Sequence, residues 1–275
     1  MVFPVRMVMA IVVCAMLAGC FQVETTVRLN PDGSGTVEEN MLLSGKMVEQ
    51  MEQMAMAFAG PDEKAKPFSL YDPQKLRERA VGMGSGVVFV SGEPLEKEGF
   101  KGYRATYSFK DINTLKLSRK AEGPMSDGDG SKGGTEQPIQ FRFTPGREAR
   151  LVVIQPHAEK QTEQPAPDTV PQPAKEQKAS MTPDQEKAMV EMLKGMKFSL
   201  AIEVNGTITE SNASYRNGNR ITLFELDLGR MVLDAEKLEL LKKAEPASPE
   251  EAKEILKALP GFKMELNDPL ELVFT

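Results

Sequence analysis

Hydrophobic and polar residues alternate along several segments of the chain, which is the period of a β-strand with one buried face. Alternation over residues 23–29 and 36–43, separated by turn-forming residues at 30–35, predicts a hairpin. Residues 87–90 predict a short buried strand. Further strands are predicted over 102–109, 139–143, 151–154, 198–204, 207–214, 220–226, 262–266 and 270–274.

Turn sequences between these segments indicate which strands pair. Pro145-Gly146 separates residues 139–143 from 151–154 and predicts a second hairpin. Asn205-Gly206 is a strong signal for a two-residue hairpin turn and joins 198–204 to 207–214. Asn217-Gly218 then leads into 220–226. Together these last segments predict a three-stranded meander.

Other segments have the spacing of helices. One helix is predicted from Lys46 to Phe58, and a second begins at Asp72-Pro73 with the aspartate as N-cap. Further helices are predicted from Pro183, over residues 234–243, and over 248–259 after a capping box. The predicted fold class is α+β, in which amphipathic helices pack on an antiparallel sheet of hairpins and a meander.

Two segments are too polar to form a packed structure. Residues 120–137 are rich in Gly, Asp and Ser, and residues 158–180 are rich in Pro, Gln, Glu and Lys. Such compositions cannot bury enough apolar surface to offset the entropy of ordering. We therefore expect a single α+β domain over residues 20–275 with disordered insertions at these places. The alternative is two subdomains separated by the linker at 158–180.

The first residues are typical of a secretory signal peptide. Arg6 precedes an apolar run over residues 7–17 that is too short for a transmembrane helix. Leu17-Ala18-Gly19-Cys20 resembles the bacterial lipobox, which implies removal of residues 1–19 and lipidation of Cys20. The lipid would attach the protein to a membrane in the bacterial cell envelope. Phe21, where some lipoproteins have Asp, favours the periplasmic face of the outer membrane in a Gram-negative cell.

Composition limits the chemistry that the chain can perform. It has 34 basic and 40 acidic residues, a net charge of −6 and no strongly basic segment, which argues against nucleic-acid binding. One His, two Cys and no Trp leave few ligands for metals and few groups for His- or Cys-based catalysis. The glycines at 82–86 and the aspartates at 127–129 fit neither a phosphate loop nor a calcium loop. We expect no cofactor and no metal.

Methionines at helical spacing are the most distinctive side chains. They form two faces, one on the helix from Lys46 and one on the helix from Pro183. The residues are Met47, Met51, Met54 and Phe58 on the first face, and Met189, Met192 and Met196 on the second. Three interpretations remain open: ordinary core packing, a deformable apolar surface for a lipid-like ligand, and a copper(I) site.

Two motifs resemble those of the LppM-like group of bacterial lipoproteins. Cys20 is followed by a strand, then by residues 32–36 with the sequence Asp-Gly-Ser-Gly-Thr and a second strand. Residues 206–212 read Gly-Thr-Ile-Thr-Glu-Ser-Asn and precede Gly218-Asn219. The resemblance covers residues 20–45 and 198–230. It implies an α+β domain of the cell envelope, related in shape to lipid-transfer folds, and it implies no catalytic residues.

These observations predict a lipid-anchored envelope protein that is not an enzyme. We expect it to bind an apolar or lipid-like ligand, or an envelope protein, at the membrane surface. A structural or assembly lipoprotein without a pocket is the second hypothesis. A carboxylate-dependent hydrolase is the third, and two close acidic residues with raised pKa values in a cleft would favour it.

Overall fold

The computed structural model describes residues 21–58, 69–117, 138–155, 193, 195–233 and 257–275. Several sequence predictions concern residues outside these ranges. They are the signal peptide and Cys20, the insertions at 120–137 and 158–180, most of the helix from Pro183 with Met189 and Met192, and the helices at 234–243 and 248–259.

The described chain consists mostly of β-strands. They are β1 (Phe21–Leu29), β2 (Gly35–Ser44), β3 (Val88–Lys97), β4 (Phe100–Phe109), β5 (Gln140–Thr144), β6 (Ala149–Ile154), β7 (Lys197–Val204), β8 (Ile208–Ser211), β9 (Arg216–Asn217), β10 (Arg220–Asp227), β11 (Phe262–Met264) and β12 (Leu270–Phe274). The helices are α1 (Gly45–Phe58), α2 (Pro73–Gly82) and α3 (Leu228–Leu233), with a 3-10 turn over Ile112–Thr114.

The strands form two sheets. The larger sheet has the order β11-β10-β7-β1-β2-β4-β3, and β9 pairs with β10. The smaller sheet has the order β5-β6-β12-β8. Both sheets contain strands that precede residues 158–180 and strands that follow them. The division of the chain into domains stays a prediction. The α+β class and the hairpins β1–β2 and β5–β6 are confirmed.

A purely antiparallel sheet is the first prediction that needs correction. β1 and β7 pair in parallel along their whole length, from Gln22 opposite Lys197 to Leu29 opposite Val204. A parallel pair requires a long connection between its strands, because the chain must return to the same end of the sheet. The long stretch between β1 and β7, which includes the smaller sheet's first hairpin, provides that connection.

The predicted hairpin at Asn205-Gly206 is wrong. β7 belongs to the larger sheet, whereas β8 pairs with β12 in the smaller one. The backbone N–H of Asn205 donates to the carbonyl of Leu29, and that of Thr207 donates to the carbonyl of Thr275. The turn therefore directs the chain from one sheet to the other. By contrast, the Asn217-Gly218 turn does form a hairpin, between β9 and β10.

The strand predicted at residues 87–90 is confirmed from Val88 onward, but its predicted burial is wrong. Val88 begins β3, which lies at the end of the larger sheet and pairs with β4 alone among the described strands. Val88 and Val90 are 58% and 57% exposed. Hydrophobic residues at an edge strand resemble those of a buried strand in sequence, because their neighbours in the sheet decide the burial.

The main core lies between the two sheets and against α2. Alternate residues of the large sheet, among them Val27, Val37 and Ile202, point into it, as do Leu151 and Phe274 of the small sheet. Helix α2 contributes Leu76 and Ala80, and its predicted N-cap is confirmed, since Asp72 accepts from the backbone N–H of Gln74 and Lys75. One face of the large sheet thus packs in the core, and its other face lies outside the core.

Candidate functional site

The outward face of the larger sheet carries a continuous polar surface. On β1 the outward residues are Glu24, Thr26 and Arg28, which alternate with the buried residues Val23, Val27 and Leu29. The neighbouring strands place their polar residues beside these. A groove of about 450 Å³ lies on this face, which we call the sheet groove. It is lined by Glu24, Thr26, Arg28, Glu38, Asn40, Lys197, Ser199, Arg220, Thr222, Glu225, Asp227, Arg230 and Lys263.

A β-bulge in β10 is what aligns this surface across the sheet. The register with β7 shifts between Thr222 and Phe224, so Leu223 is an extra residue on β10. Before the bulge, Arg220 and Thr222 point outward, and after it the outward residues are Glu225 and Asp227. Leu223 itself is buried. The bulge therefore keeps both ends of β10 polar on the same face.

Small side chains form the floor of the sheet groove. Thr26, Ala201 and Thr222 are paired across β1, β7 and β10. The guanidinium of Arg220 donates to the hydroxyl of Thr26 at 3.3 Å, although β7 lies between their strands. It can cross because the residue beneath it is Ala201, which is fully buried. The floor presents hydroxyls between taller charged walls.

Ion pairs hold the charged walls in place. Arg28 donates to Glu38 at 2.7 Å, Lys197 to Glu24 at 2.6 Å, and Lys263 to Glu225 at 3.0 Å. Two looser pairs are Arg220 with Glu203 at 3.6 Å and Arg230 with Asp227 at 3.5 Å. Half-exposed pairs of this kind add little to stability. Their effect is to orient donors and acceptors around the groove.

The ionisation of the wall residues follows from these pairs. Burial raises the pKa of the Glu24 carboxyl, but the hydrogen bond from Lys197 and the charges of Lys197 and Lys97 outweigh burial and lower this pKa below its ordinary value. The hydrogen bond to Glu38 raises the pKa of the Arg28 guanidinium. A general acid needs a raised carboxyl pKa. Glu24 is shifted in the opposite direction, so it is suited to binding a ligand rather than to donating a proton.

A second polar cluster lies on the inward face of the same sheet. Glu39 is only 1% exposed, and its carboxylate accepts from Arg79 at 2.7 and 3.1 Å and from the hydroxyl of Tyr103 at 2.7 Å. The hydroxyl of Tyr107 is buried nearby and has no hydrogen-bond partner among the described residues. The cluster joins α2 to β2 and β4. The Glu39 carboxylate is enclosed by the core and held by Arg79 and Tyr103, so we assign the cluster a structural role.

The methionine faces predicted from the sequence are brought together only in part. Met47 and Met51 are buried on α1, where they pack with Leu43 and Val48 in a small second core. Phe21 and Leu70 pack against this cluster. Met54 and Phe58 belong to α1, but the described side chains do not include theirs. Met196 is half-buried just before β7, while Met189, Met192 and Cys20 lie outside the described residues.

The first resemblance motif forms a turn, and the second contains strand β8. Asp32 accepts from both the backbone N–H and the hydroxyl of Ser34, which closes the β1–β2 turn. The side chain of Asn212 accepts from the backbone N–H of Glu271 and donates to the carbonyl of Pro269. With the backbone N–H of Asn212, which donates to the carbonyl of Glu271, the side chain extends the pairing of β8 with β12. Both motifs are explained by local structure, and neither lines the sheet groove.

The residues of the sheet groove were missed by sequence reasoning. They lie on five strands and on helix α3, and no short motif connects them. The sequence of β1 does contain an indication of a polar face, because its outward positions 24 and 28 are both charged. One strand alone cannot reveal a site, however, because its neighbours in the sheet are set by the topology.

Comparisons with known proteins give one match. No family model matches the sequence, and no curated protein matches it. Among solved structures, the chain is similar to the folded domain of the Mycobacterium tuberculosis LppM protein, determined by NMR. The identity is 10%, the match covers 77% of this chain and 85% of that chain, and the TM-score is 0.30. We draw no functional conclusion from a match at this level.

Two further properties concern only the residues that the structure describes. No helix in these ranges is long and apolar enough to cross a membrane. In the same ranges, His, Cys, Asp and Glu side chains form no group of three or more that is placed to hold a metal ion.

Proposed function

We propose that this chain is a lipid-anchored protein of the bacterial cell envelope that binds a lipid-like ligand at the membrane surface without catalysis. The polar headgroup of the ligand would occupy the sheet groove. The observation that carries the proposal is the position of this groove, on a sheet whose first strand begins directly after Cys20.

The position of β1 supports the proposed anchoring. Phe21 lies opposite Leu43, and Gln22 lies opposite Lys197, so one end of the large sheet collects the start of β1, the end of β2 and the start of β7. We call this the anchor end. A lipid on Cys20 would hold this end at the bilayer. The groove residues Lys197 and Asp227 pair at the same end, which would place part of the groove close to the lipid headgroups.

Apolar residues surround the anchor end as well. The rings of Phe21 and Phe198 meet edge to face with centroids 5.2 Å apart. Met47 and Met51 pack beside Phe21, and Met196 lies next to Lys197 at the start of β7. These groups lie on the inward face of the sheet, so an acyl chain would meet them after it leaves the groove and passes around this end of the sheet. Burial of apolar surface contributes about 25 cal/mol per Å² to the free energy of binding, so a few hundred Å² of contact would be sufficient.

Lipid analysis of the purified protein tests this proposal. The full chain would be expressed in a Gram-negative host, extracted in mild detergent, and examined by native mass spectrometry and by solvent extraction of bound lipid. We expect a diacyl- or triacyl-modified Cys20 and a co-purifying lipid. Thr222→Phe, which fills the groove floor, should remove that lipid.

The matched control is Thr144→Phe, because Thr144 is exposed on β5 in the smaller sheet. This variant should retain the lipid. A protein without any bound lipid, or equal lipid content in the two variants, would contradict the proposed function.

A scaffold role is the second candidate, and exposed apolar side chains favour it. Val81 on α2 is 78% exposed, and Val88 and Val90 on β3 are exposed as well. An edge strand offers unpaired backbone groups to another chain. Cross-linking from position 90 in intact envelopes would test this role, since a scaffold predicts a protein adduct there.

A further inference from the structure

The sheet groove is unusual in how its charges are matched. Five cationic side chains border it, and each forms an ion pair with a carboxylate of the same face. The pairs are Arg28–Glu38, Lys197–Glu24, Arg220–Glu203, Arg230–Asp227 and Lys263–Glu225. The groove therefore offers both signs of charge along its whole length, with no excess large enough to attract a simple anion.

Register places the opposite charges next to one another across the strands. Glu203 on β7 lies directly opposite both Arg28 on β1 and Arg220 on β10. Two positions along, Thr26 and Thr222 form the floor on either side of the buried Ala201. A ligand on this floor would be within reach of cations and carboxylates at the same time.

This pairing decides which ligands are favoured. A ligand with a single negative charge would have to draw a cation from its carboxylate and would also shield that carboxylate from water. A carboxylate that has lost both its partner and its water costs free energy. A ligand with one negative and one positive group can exchange partners, because each protein charge then keeps an opposite charge. The hydroxyls of Thr26, Ser199 and Thr222 supply further hydrogen bonds at the floor.

From this charge pattern, and resting on the proposed function, we infer that the sheet groove binds a zwitterionic headgroup carrying one phosphate and one ammonium group. Arg28 and Arg220 would bind the phosphate, because guanidinium groups match phosphate oxygens with paired hydrogen bonds. Carboxylates of the facing pairs, such as Glu225, would bind the ammonium. A phosphoethanolamine headgroup has this chemistry, whether it is carried by a lipid or is free in solution.

Binding of short-chain lipids to the purified full chain tests the inference. The probes are dihexanoyl phosphatidylethanolamine, dihexanoyl phosphatidylglycerol and O-phosphoethanolamine, titrated by native mass spectrometry with the chain in mild detergent. We expect the phosphatidylethanolamine to bind about tenfold more tightly than the anionic phosphatidylglycerol.

Two variants separate a zwitterion site from an anion site. Arg220→Gln should weaken phosphatidylethanolamine binding about tenfold, and so should Glu225→Gln, because each removes one of the opposite charges. At an anion site, Glu225→Gln would strengthen binding, because it would release Lys263. Arg142→Gln makes the same charge change as Arg220→Gln on β5 of the other sheet and should leave binding unchanged. Thermal unfolding of each variant checks that it is folded.

The outcomes distinguish this inference from the function on which it rests. Phosphatidylglycerol that binds as tightly as phosphatidylethanolamine, or tighter binding by Glu225→Gln, would overturn the zwitterion inference and leave lipid binding intact. Binding of neither lipid would overturn the proposed function. If O-phosphoethanolamine alone binds as tightly as the lipid, the zwitterion inference stands, but the acyl chain contributes nothing and the lipid part of the proposed function fails.

Discussion

The buried carboxylate of Glu39 gives the sharpest prediction about stability. Its side chain is 2% exposed and accepts hydrogen bonds from Arg79 and Tyr103. Arg79→Met keeps an unbranched side chain of similar length but removes the opposite charge. Breaking a buried pair from one side costs roughly 3–5 kcal/mol, because a charge remains in the core without compensation. Since the Arg79 side chain is 25% exposed, water can approach it, and we expect the free energy of unfolding to fall by about 3 kcal/mol.

A second substitution should recover part of that loss. In Glu39→Gln with Arg79→Met no buried charge remains, and the glutamine carbonyl can still accept from Tyr103. We expect the double variant to be less stable than the natural chain by about 2 kcal/mol, since both hydrogen bonds from Arg79 are lost and one net hydrogen bond is worth about 1 kcal/mol. The double variant would then be more stable than Arg79→Met alone.

Urea unfolding of the purified full chain, followed by far-ultraviolet circular dichroism, measures these differences, because the chain has no Trp to report unfolding by fluorescence. The matched control is Arg77→Met, which makes the same change two positions earlier at an exposed site of α2. The reasoning is refuted if Arg79→Met loses under about 1 kcal/mol, or if the double variant is no more stable than Arg79→Met.

Two other predictions follow from the core and the turn between the sheets. The pKa values of Tyr103 and Tyr107 are raised, mainly by burial and then by the charge of Glu39. The stability that these neutral phenols contribute is therefore complete below about pH 10. It is lost as the pH rises further, by roughly 1 kcal/mol per pH unit for each tyrosine. Urea midpoints at pH 9 to 11 should fall less steeply when both are changed to Phe, and equal slopes would contradict this. Gly206→Ala should lower the free energy of unfolding by about 1–3 kcal/mol, since the new Cβ would lie 2.2 Å from the carbonyl oxygen of Thr275. The control is Gly82→Ala, whose Cβ meets nothing within 4 Å and which should be neutral in the same unfolding assay.

The sequence was sufficient where a local rule decides the structure. Alternation and the Asp-Gly turn predicted the β1–β2 hairpin, and Asp72-Pro73 predicted the start of α2, because strand period, turn geometry and capping depend on neighbouring residues. The Asn205-Gly206 prediction failed at the next level. A turn sequence predicts that the chain reverses direction, but it does not predict whether the next strand pairs within the same sheet.

The site was beyond sequence reasoning for a related reason. Its residues come from strands that meet only through the parallel pairing of β1 with β7, and this pairing is set by the long connection between them. The bulge at Leu223 also reverses the alternation within β10, so a strict period of two assigns Glu225 to the buried face. Met47 and Met51 lie on a predicted helix and pack in a small core, while the interpretation of the methionine faces stays a prediction.

The most direct test of the central claim is cross-linking inside the cell envelope. A photoreactive phenylalanine analogue would be introduced at Thr222, on the floor of the sheet groove, and separately at Thr144, on the other sheet. After illumination of intact cells, mass spectrometry of the purified full chain identifies what is attached. We predict a lipid adduct at position 222 and none at position 144. A lipid adduct at neither position, or the same adduct at both, would contradict the account.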